Sequence, residues 1–81
     1  MDLKDTAELM NSEDYKERFK AEYYQTKIRY DKLHKMITKL KAGTLDFEPD
    51  CSEEILTSQA VIMRNYLNVL EVRAEIEKVE L

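Results

Sequence analysis

With 81 residues, one cysteine and one histidine, the chain is too short for more than one domain and has no second thiol for an internal disulfide. Its formal net charge of −4 and pI of about 5.0 argue against an extended nucleic-acid surface. No apolar run approaches the roughly 18 residues of a membrane span and no secretory signal is visible, so we expect a soluble, cytoplasmic protein.

The first predicted element is a short amphipathic helix within residues 1–12. Leu3, Ala7 and Met10 fall at i, i+4 and i+7, which indicates about two helical turns with one apolar face. A helix this short is marginal unless it docks against a larger element. Asn11-Ser12 then offers a side-chain cap for the helix that follows.

A long helix is predicted over residues 13–42. Its apolar positions recur at alternating steps of four and three, which is a heptad pattern sustained over three repeats. Gly43, the only glycine of the chain, suits a left-handed cap at the end of this helix. The positions of this seam are Phe19, Tyr23, Thr26, Tyr30, Leu33, Ile37 and Leu40.

Residues 43–51 form a hinge that contains the only glycine and the only proline of the chain. We expect Leu45 and Phe47 to fold back as a hydrophobic plug over the open end of the hairpin. Pro49 ends any helical continuation, and Asp50 with Glu53 is a plausible capping pair for the next helix.

A second long helix, predicted over residues 52–79, carries more apolar residues than one partner helix can cover. One seam shows the same alternating steps and faces the preceding helix. A second apolar line runs beside it, and leaving this line in water would expose a sizeable patch. The first seam comprises Leu56, Ala60, Met63, Leu67, Leu70 and Ala74, and the second line comprises Ile55, Ile62, Tyr66, Val69 and Ile76.

These patterns predict an all-α fold: an antiparallel helical hairpin with a short N-terminal helix, which assembles into a homo-oligomeric helical bundle. Burying Ile62, Tyr66, Val69 and Ile76 contributes about 1.5–3 kcal/mol each before entropic losses. That sum is comparable to the total stability of a small domain. The alternative is that the N-terminal helix covers part of this line within one chain.

The residue inventory gives little support to catalysis. A single glycine excludes a Gly-rich phosphate loop, and Cys51 and His34 lie on different predicted elements without a third group to complete a catalytic set. The carboxylates of the second helix are better interpreted as a solvated edge than as a metal cage. We therefore expect a protein that is not an enzyme and holds neither a metal nor a cofactor.

Positive charge is concentrated on the first long helix, where residues 14–41 carry nine Lys or Arg against four acidic residues. Aromatic residues interleave with these cations between residues 16 and 35; aromatic faces can stack on a nucleobase while Lys and Arg neutralise phosphates. Tyr24 stands outside the seam and is expected to be the most available aromatic. The alternative is that Tyr23 and Tyr30 belong to the core and the lysines form a solvated face. The candidate ligand-binding residues are Lys20, Tyr24, Lys27, Arg64 and Arg73, the two arginines meeting the basic segment across a subunit boundary.

Four segments, at residues 15–23, 32–37, 42–47 and 70–77, carry a family resemblance. Together they resemble small proteins encoded by bacteriophages and prophages, in the family named after crAss-like phage proteins, over about residues 11–81. The resemblance implies a phage origin, an accessory role in the cytoplasm of the bacterial host and a helical hairpin. It provides no catalytic residues.

Phage accessory proteins of this size often counter host immunity, and some compact helical ones oligomerise and trap cyclic nucleotides or ADP-ribose derivatives. By analogy, our hypothesis is a non-catalytic anti-defence protein that sequesters a nucleotide-derived host immune signal in pockets between subunits. One alternative is a helical protein–protein inhibitor of a host defence enzyme. A structural or regulatory phage protein without a small ligand is another, and DNA binding ranks last. The ligand, the oligomer number and helix swapping between chains stay open.

Overall fold

A computed structural model describes residues 1–81 as three α-helices. The helices are α1 (Leu3–Met10), α2 (Tyr15–Ala42) and α3 (Glu53–Glu77). Phe19 and Tyr30 of α2 lie beside Arg73 and Arg64 of α3, respectively, so the two long helices run antiparallel. The predicted all-α hairpin with a short N-terminal helix is thus confirmed for one chain. None of the helices is long and apolar enough to span a bilayer.

The N-terminus of α2 is capped by Asp14, whose carboxylate accepts a hydrogen bond from the backbone N–H of Lys16 at 2.9 Å. The predicted cap at Asn11-Ser12 is wrong. Asn11 instead closes α1, because its N–H bonds to carbonyl groups of the last turn. Ser12 supports the new cap through its Oγ, which accepts a hydrogen bond from the N–H of Asp14 at 3.1 Å.

The hinge also departs from its prediction in two details. Ser52, directly before α3, caps that helix by accepting a hydrogen bond from the N–H of Ile55 at 3.3 Å, so the predicted Asp50–Glu53 pair is wrong. Leu45 is half-buried, but Phe47 is 55% exposed. The hinge therefore provides a partial cover and not a closed hydrophobic plug.

The core of the hairpin lies between α2 and α3, where four of the six residues of the inner seam of α3 are buried and the other two are half-buried. Leu67 and Leu70 are almost fully enclosed, and the phenol ring of Tyr30 packs against the same cluster. The buried members of this cluster are Phe19, Tyr23, Leu67, Leu70, Ala74 and Val79. The predicted inner seam is confirmed.

The helix α1 docks on the back of α2, away from α3. Ala21 lies about 200° around α2 from Phe19 and is nevertheless fully covered. Met10 of α1 lies along this side with Arg18 and Gln25 of α2. No contact joins α1 to α3. The three helices therefore form successive layers, with α2 in the middle.

The second apolar line of α3 is left uncovered by its own chain. Because α1 packs only on α2, the alternative in which the N-terminal helix covers this line is wrong. Four of its residues, Ile55, Ile62, Val69 and Ile76, are spaced seven apart, and their exposure ranges from 57% at Val69 to 73% at Ile76. We call this surface the outer face of α3; it comprises Ile55, Ile62, Tyr66, Val69, Val72 and Ile76.

Replacing Gly43 tests the left-handed cap of α2, where φ is 76°. Gly43→Ala should lower the free energy of unfolding by about 1–2 kcal/mol, because a Cβ in this conformation crowds the following carbonyl oxygen. No atom lies within 4 Å of that Cβ, so packing adds nothing to the effect. Gly43→Asn should cost less, since asparagine tolerates this conformation. Urea denaturation measures both changes, and equal losses would contradict the argument.

Candidate ligand-binding site

Three of the candidate residues share one stripe of α2. Lys20, Tyr24 and Lys27 are spaced at i, i+4 and i+7, which places them on one side of the helix, and all three are half-buried. The ammonium group of Lys27 lies 3.0 Å from the carboxylate of Asp31. The stripe therefore presents a cation that is already paired at the surface.

A polar network centred on Glu71 joins α2 to α3 beside this stripe. The hydroxyl of Tyr23 donates to Oε2 of Glu71 at 2.7 Å, and Nη2 of Arg64 donates to the same oxygen at 3.0 Å. Arg64 also donates from Nε and Nη2 to Oδ1 of Asn68, at 3.1 and 2.9 Å. Its guanidinium carbon lies 5.6 Å from the ring centroid of Tyr30. The arginine is thus fixed in direction before any ligand arrives.

The network sets the charge of its members at neutral pH. Burial and the hydrogen bond to Glu71 raise the pKa of Tyr23 from 10.0 to about 12, so the phenol stays neutral. The hydrogen bond from Tyr23, followed by that from Arg64, holds the pKa of Glu71 below its ordinary value, so this carboxyl stays charged. The charge of Arg64 is therefore partly neutralised by Glu71.

The guanidinium of Arg64 retains free donors, because its Nη1 makes no hydrogen bond within the chain. A groove of about 280 Å³ opens beside it between α2 and α3. Arg64 and Lys41 bring positive charge to the groove, and no carboxylate lines it. Its walls are Tyr30, His34, Ile37, Thr38, Lys41, Thr57, Ala60, Val61, Arg64 and Asn65. Such a groove can receive an anionic group together with a planar ring.

Most of the groove was missed by reasoning from the sequence. Tyr30 was placed in the heptad seam and His34 was considered only for catalysis, but the centroids of their rings lie 5.7 Å apart along one wall of the groove. Tyr30, His34 and Lys41 are spaced at i, i+4 and i+11, so they share one side of α2. Tyr30 belongs to the heptad seam and the other two lie along its edge, and this spacing was the signal that could have identified the wall.

Tyr24 is half-buried, packs against the core cluster and meets the ring of Tyr23 edge-on, with centroids 5.2 Å apart. Among the aromatic residues of the basic segment, Phe19 and Tyr23 are buried, so Tyr24 is more accessible than either of them. Lys27 lies near enough to Glu71 for its charge to help lower the pKa of that carboxyl. The stripe of α2 and the Glu71 network are therefore neighbours.

Arg73 lies apart from these residues within one chain. It follows Arg64 by nine positions, which turns its side chain about 180° around α3. Its guanidinium carbon stands 4.9 Å from the ring centroid of Phe19, and its Nε donates to Glu77 at 2.7 Å. A single chain thus brings Arg64 and Lys27 close to the same carboxylate, that of Glu71, but leaves Arg73 on the opposite flank.

A family model described as Sequestin matches residues 13–76. No curated protein and no solved structure is significantly similar to the chain. The matched range contains all of α2, all of α3 but its last residue, and every wall of the groove. It leaves α1 outside.

Alkaline titration tests the Glu71 network. Of the five tyrosines, Tyr23 should ionise near pH 12, and ultraviolet difference absorbance should resolve it. Because its folded pKa is raised, its stabilising contribution is complete below pH 10.0 and is lost as the pH rises through about 12. Glu71→Gln should move the ionisation of Tyr23 to lower pH.

Glu75→Gln is the matched control, because it removes an exposed carboxylate one helical turn away that does not bond to Tyr23. It should leave the late ionisation in place. If both variants shift the titration equally, the hydrogen bond to Glu71 is not its cause.

Proposed function

This chain belongs to the Sequestin family, and we propose that it is a non-catalytic protein that sequesters a nucleotide-derived host immune signal. The family name supports the retention of a bound molecule. The observation that carries the proposal is the groove beside Arg64, whose walls bring two cations and two aromatic rings together and include no carboxylate. Trapping by contact alone requires no bond to be broken.

The chemistry of the groove fits a phosphate attached to a ring. Nη1 of Arg64 and the ammonium group of Lys41 are donors for phosphate oxygens, as charge-assisted hydrogen bonds require. The rings of Tyr30 and His34 provide surfaces for stacking a base. Displacement of Glu71 by a phosphate would release further donors of Arg64 to the ligand.

The size of the groove supports a pocket shared between subunits. Its volume of about 280 Å³ lies at the lower edge of the range of roughly 300–1,000 Å³ for small-molecule sites. A second subunit that closes over the groove would enlarge and shield it. In that arrangement Lys20, Tyr24 and Lys27 extend the basic wall, and Arg73 is supplied by the neighbouring subunit.

The proposed function also implies where the protein acts, namely in a cell infected by a phage. We assign it a phage origin and an anti-defence role in the cytoplasm of the bacterial host, as a homo-oligomer. The exposed outer face of α3 supports self-association, because monomeric proteins rarely expose contiguous apolar patches of this kind. Sequestration is stoichiometric, so the protein must accumulate to the concentration of the signal.

The outer face of α3 also favours a second candidate function, that of a protein–protein inhibitor. A helix with an exposed apolar face can lie in a hydrophobic groove of a host defence enzyme. This candidate predicts co-purification with a host protein and no change in melting temperature with any nucleotide. Sequestration predicts a retained small molecule instead.

Arg64→Gln should weaken ligand binding at least about tenfold, because a hydrogen bond to a charged group is worth about 1.5–3 kcal/mol. Arg29→Gln is the matched control, since it removes the same charge from an exposed side chain of α2 that makes no ion pair. Isothermal titration with nucleotides measures both variants. Equal losses would indicate a general effect of charge and contradict the site.

Purification from cells mounting a response to phage tests trapping directly. Native mass spectrometry should show a retained small molecule, and heating should release it intact with restored signalling activity. Recovery of a cleaved product alone would contradict a non-catalytic role.

A further inference from the structure

We infer that the outer face of α3 binds the same face of a second copy of this chain, with the two α3 helices antiparallel. This inference rests on the homo-oligomer of the proposed function but not on the identity of its ligand. It assigns the surface through which the copies meet.

The layering of the chain leaves only this face without a cover. In the middle layer, α2 is covered by α3 on one side and by α1 on the other. On α3, the inner side is buried by α2, but the outer face stays in water from Ile55 to Ile76. These two residues are 21 positions apart, so the apolar line is about 32 Å long.

The length and the apolar character of the outer face show which helix of a second copy can cover it. With 8 residues, α1 is about 12 Å long and is already docked. The exposed surface of α2 carries Arg29, Lys32, Lys35 and Lys39, and Tyr15 is its only exposed large hydrophobic residue. Only α3 of a second copy offers an apolar line of the required length.

The spacing of the line fits helix-to-helix packing. Ile55, Ile62, Val69 and Ile76 recur every seven residues, which is the repeat of a coiled-coil seam. β-branched side chains occupy all four positions and are restricted in χ1, so little rotamer freedom is lost when they pack. The outer face is thus a second seam on the same helix.

Symmetry fixes the register of the two copies. The midpoint of the line falls between Asn65 and Tyr66, at the centre of α3. An antiparallel pair centred there places Ile62 against Val69 of the second copy and overlaps both helices fully. Asn65 is exposed in one chain and would meet its equivalent near the two-fold axis, where one polar pair specifies register. Antiparallel helix dipoles also attract each other.

The area available is sufficient for a stable pair. Side chains of the outer face are 42% to 73% exposed. If each of these six side chains buries roughly 100 Å², the two copies together bury about 1,200 Å² of surface, which is the lower end of the range for specific interfaces. Val61 and Asn65, which line the groove beside Arg64, border this face. The second copy therefore stands at the rim of the groove and adds a wall to it.

Sedimentation of the full chain without ligand tests the interface. Wild-type protein should sediment as a dimer or larger, and the double variant Ile62→Glu/Val69→Glu as a monomer. Both side chains are exposed in a single chain, so circular dichroism should show unchanged helix content. Lys32→Glu, on the exposed surface of α2, is the control and should stay oligomeric.

Disulfide trapping tests the orientation in a Cys51→Ser background, which removes the only native thiol. Antiparallel pairing predicts that Ile55→Cys/Ile76→Cys forms a covalent dimer, whereas Ile55→Cys alone does not, since a disulfide needs Cα atoms about 4.4–6.8 Å apart. Efficient trapping of the single variant would overturn the antiparallel orientation.

The remaining outcomes separate this inference from the proposed function. A wild-type monomer, with or without a host protein bound to α3, overturns both the interface and the proposed homo-oligomer. A double Glu variant that stays oligomeric overturns only the interface. If the Glu substitutions disrupt the oligomer but the wild-type oligomer retains no small molecule, the interface is supported and the proposed function fails.

Discussion

The constraint on which the structure depends is that the apolar residues of α3 extend beyond the side that faces α2, whereas a hairpin can bury only that one side. Leu67 and Leu70 take the inner side and enclose the core, and Ile62 and Val69 remain in water. No rearrangement of the hairpin can bury both sides, because turning α3 to cover one exposes the other. The proposed pairing of α3 helices follows from this geometry, as does the proposal that the ligand pocket is completed between subunits.

The charged residues lie at the edges of the apolar core and not inside it. The cations of α2 and Arg64 of α3 flank the inner seam, where Glu71 accepts hydrogen bonds from both Arg64 and the phenol of Tyr23. The carboxylate keeps Arg64 partly neutralised, so an anion that bonds to Nη1 alone leaves Glu71 in place, whereas one that takes the remaining donors of Arg64 must compete with it. In the proposed function, this competition favours phosphates over weaker anions.

Apolar periodicity was sufficient to predict the three helices, the hairpin and both apolar lines of α3, because a repeat of three and four residues fits only a helix with a buried side. Capping was harder to predict. Asn11, Ser12 and Asp14 are all good capping residues, and the choice depended on where α1 ends. The placement of side chains was harder still to predict: Tyr24 is half-buried, and its ring meets that of Tyr23 edge-on. The groove could not be predicted, because it exists only where α2 and α3 lie side by side.

The docking of α1 has a practical consequence for handling the molecule. This helix touches only the back of α2 and lies outside the range shared with the Sequestin family; it does not line the groove and makes no contact with α3. A fluorophore or an affinity tag attached ahead of Leu3 would therefore label or immobilise the protein without covering either the groove or the outer face.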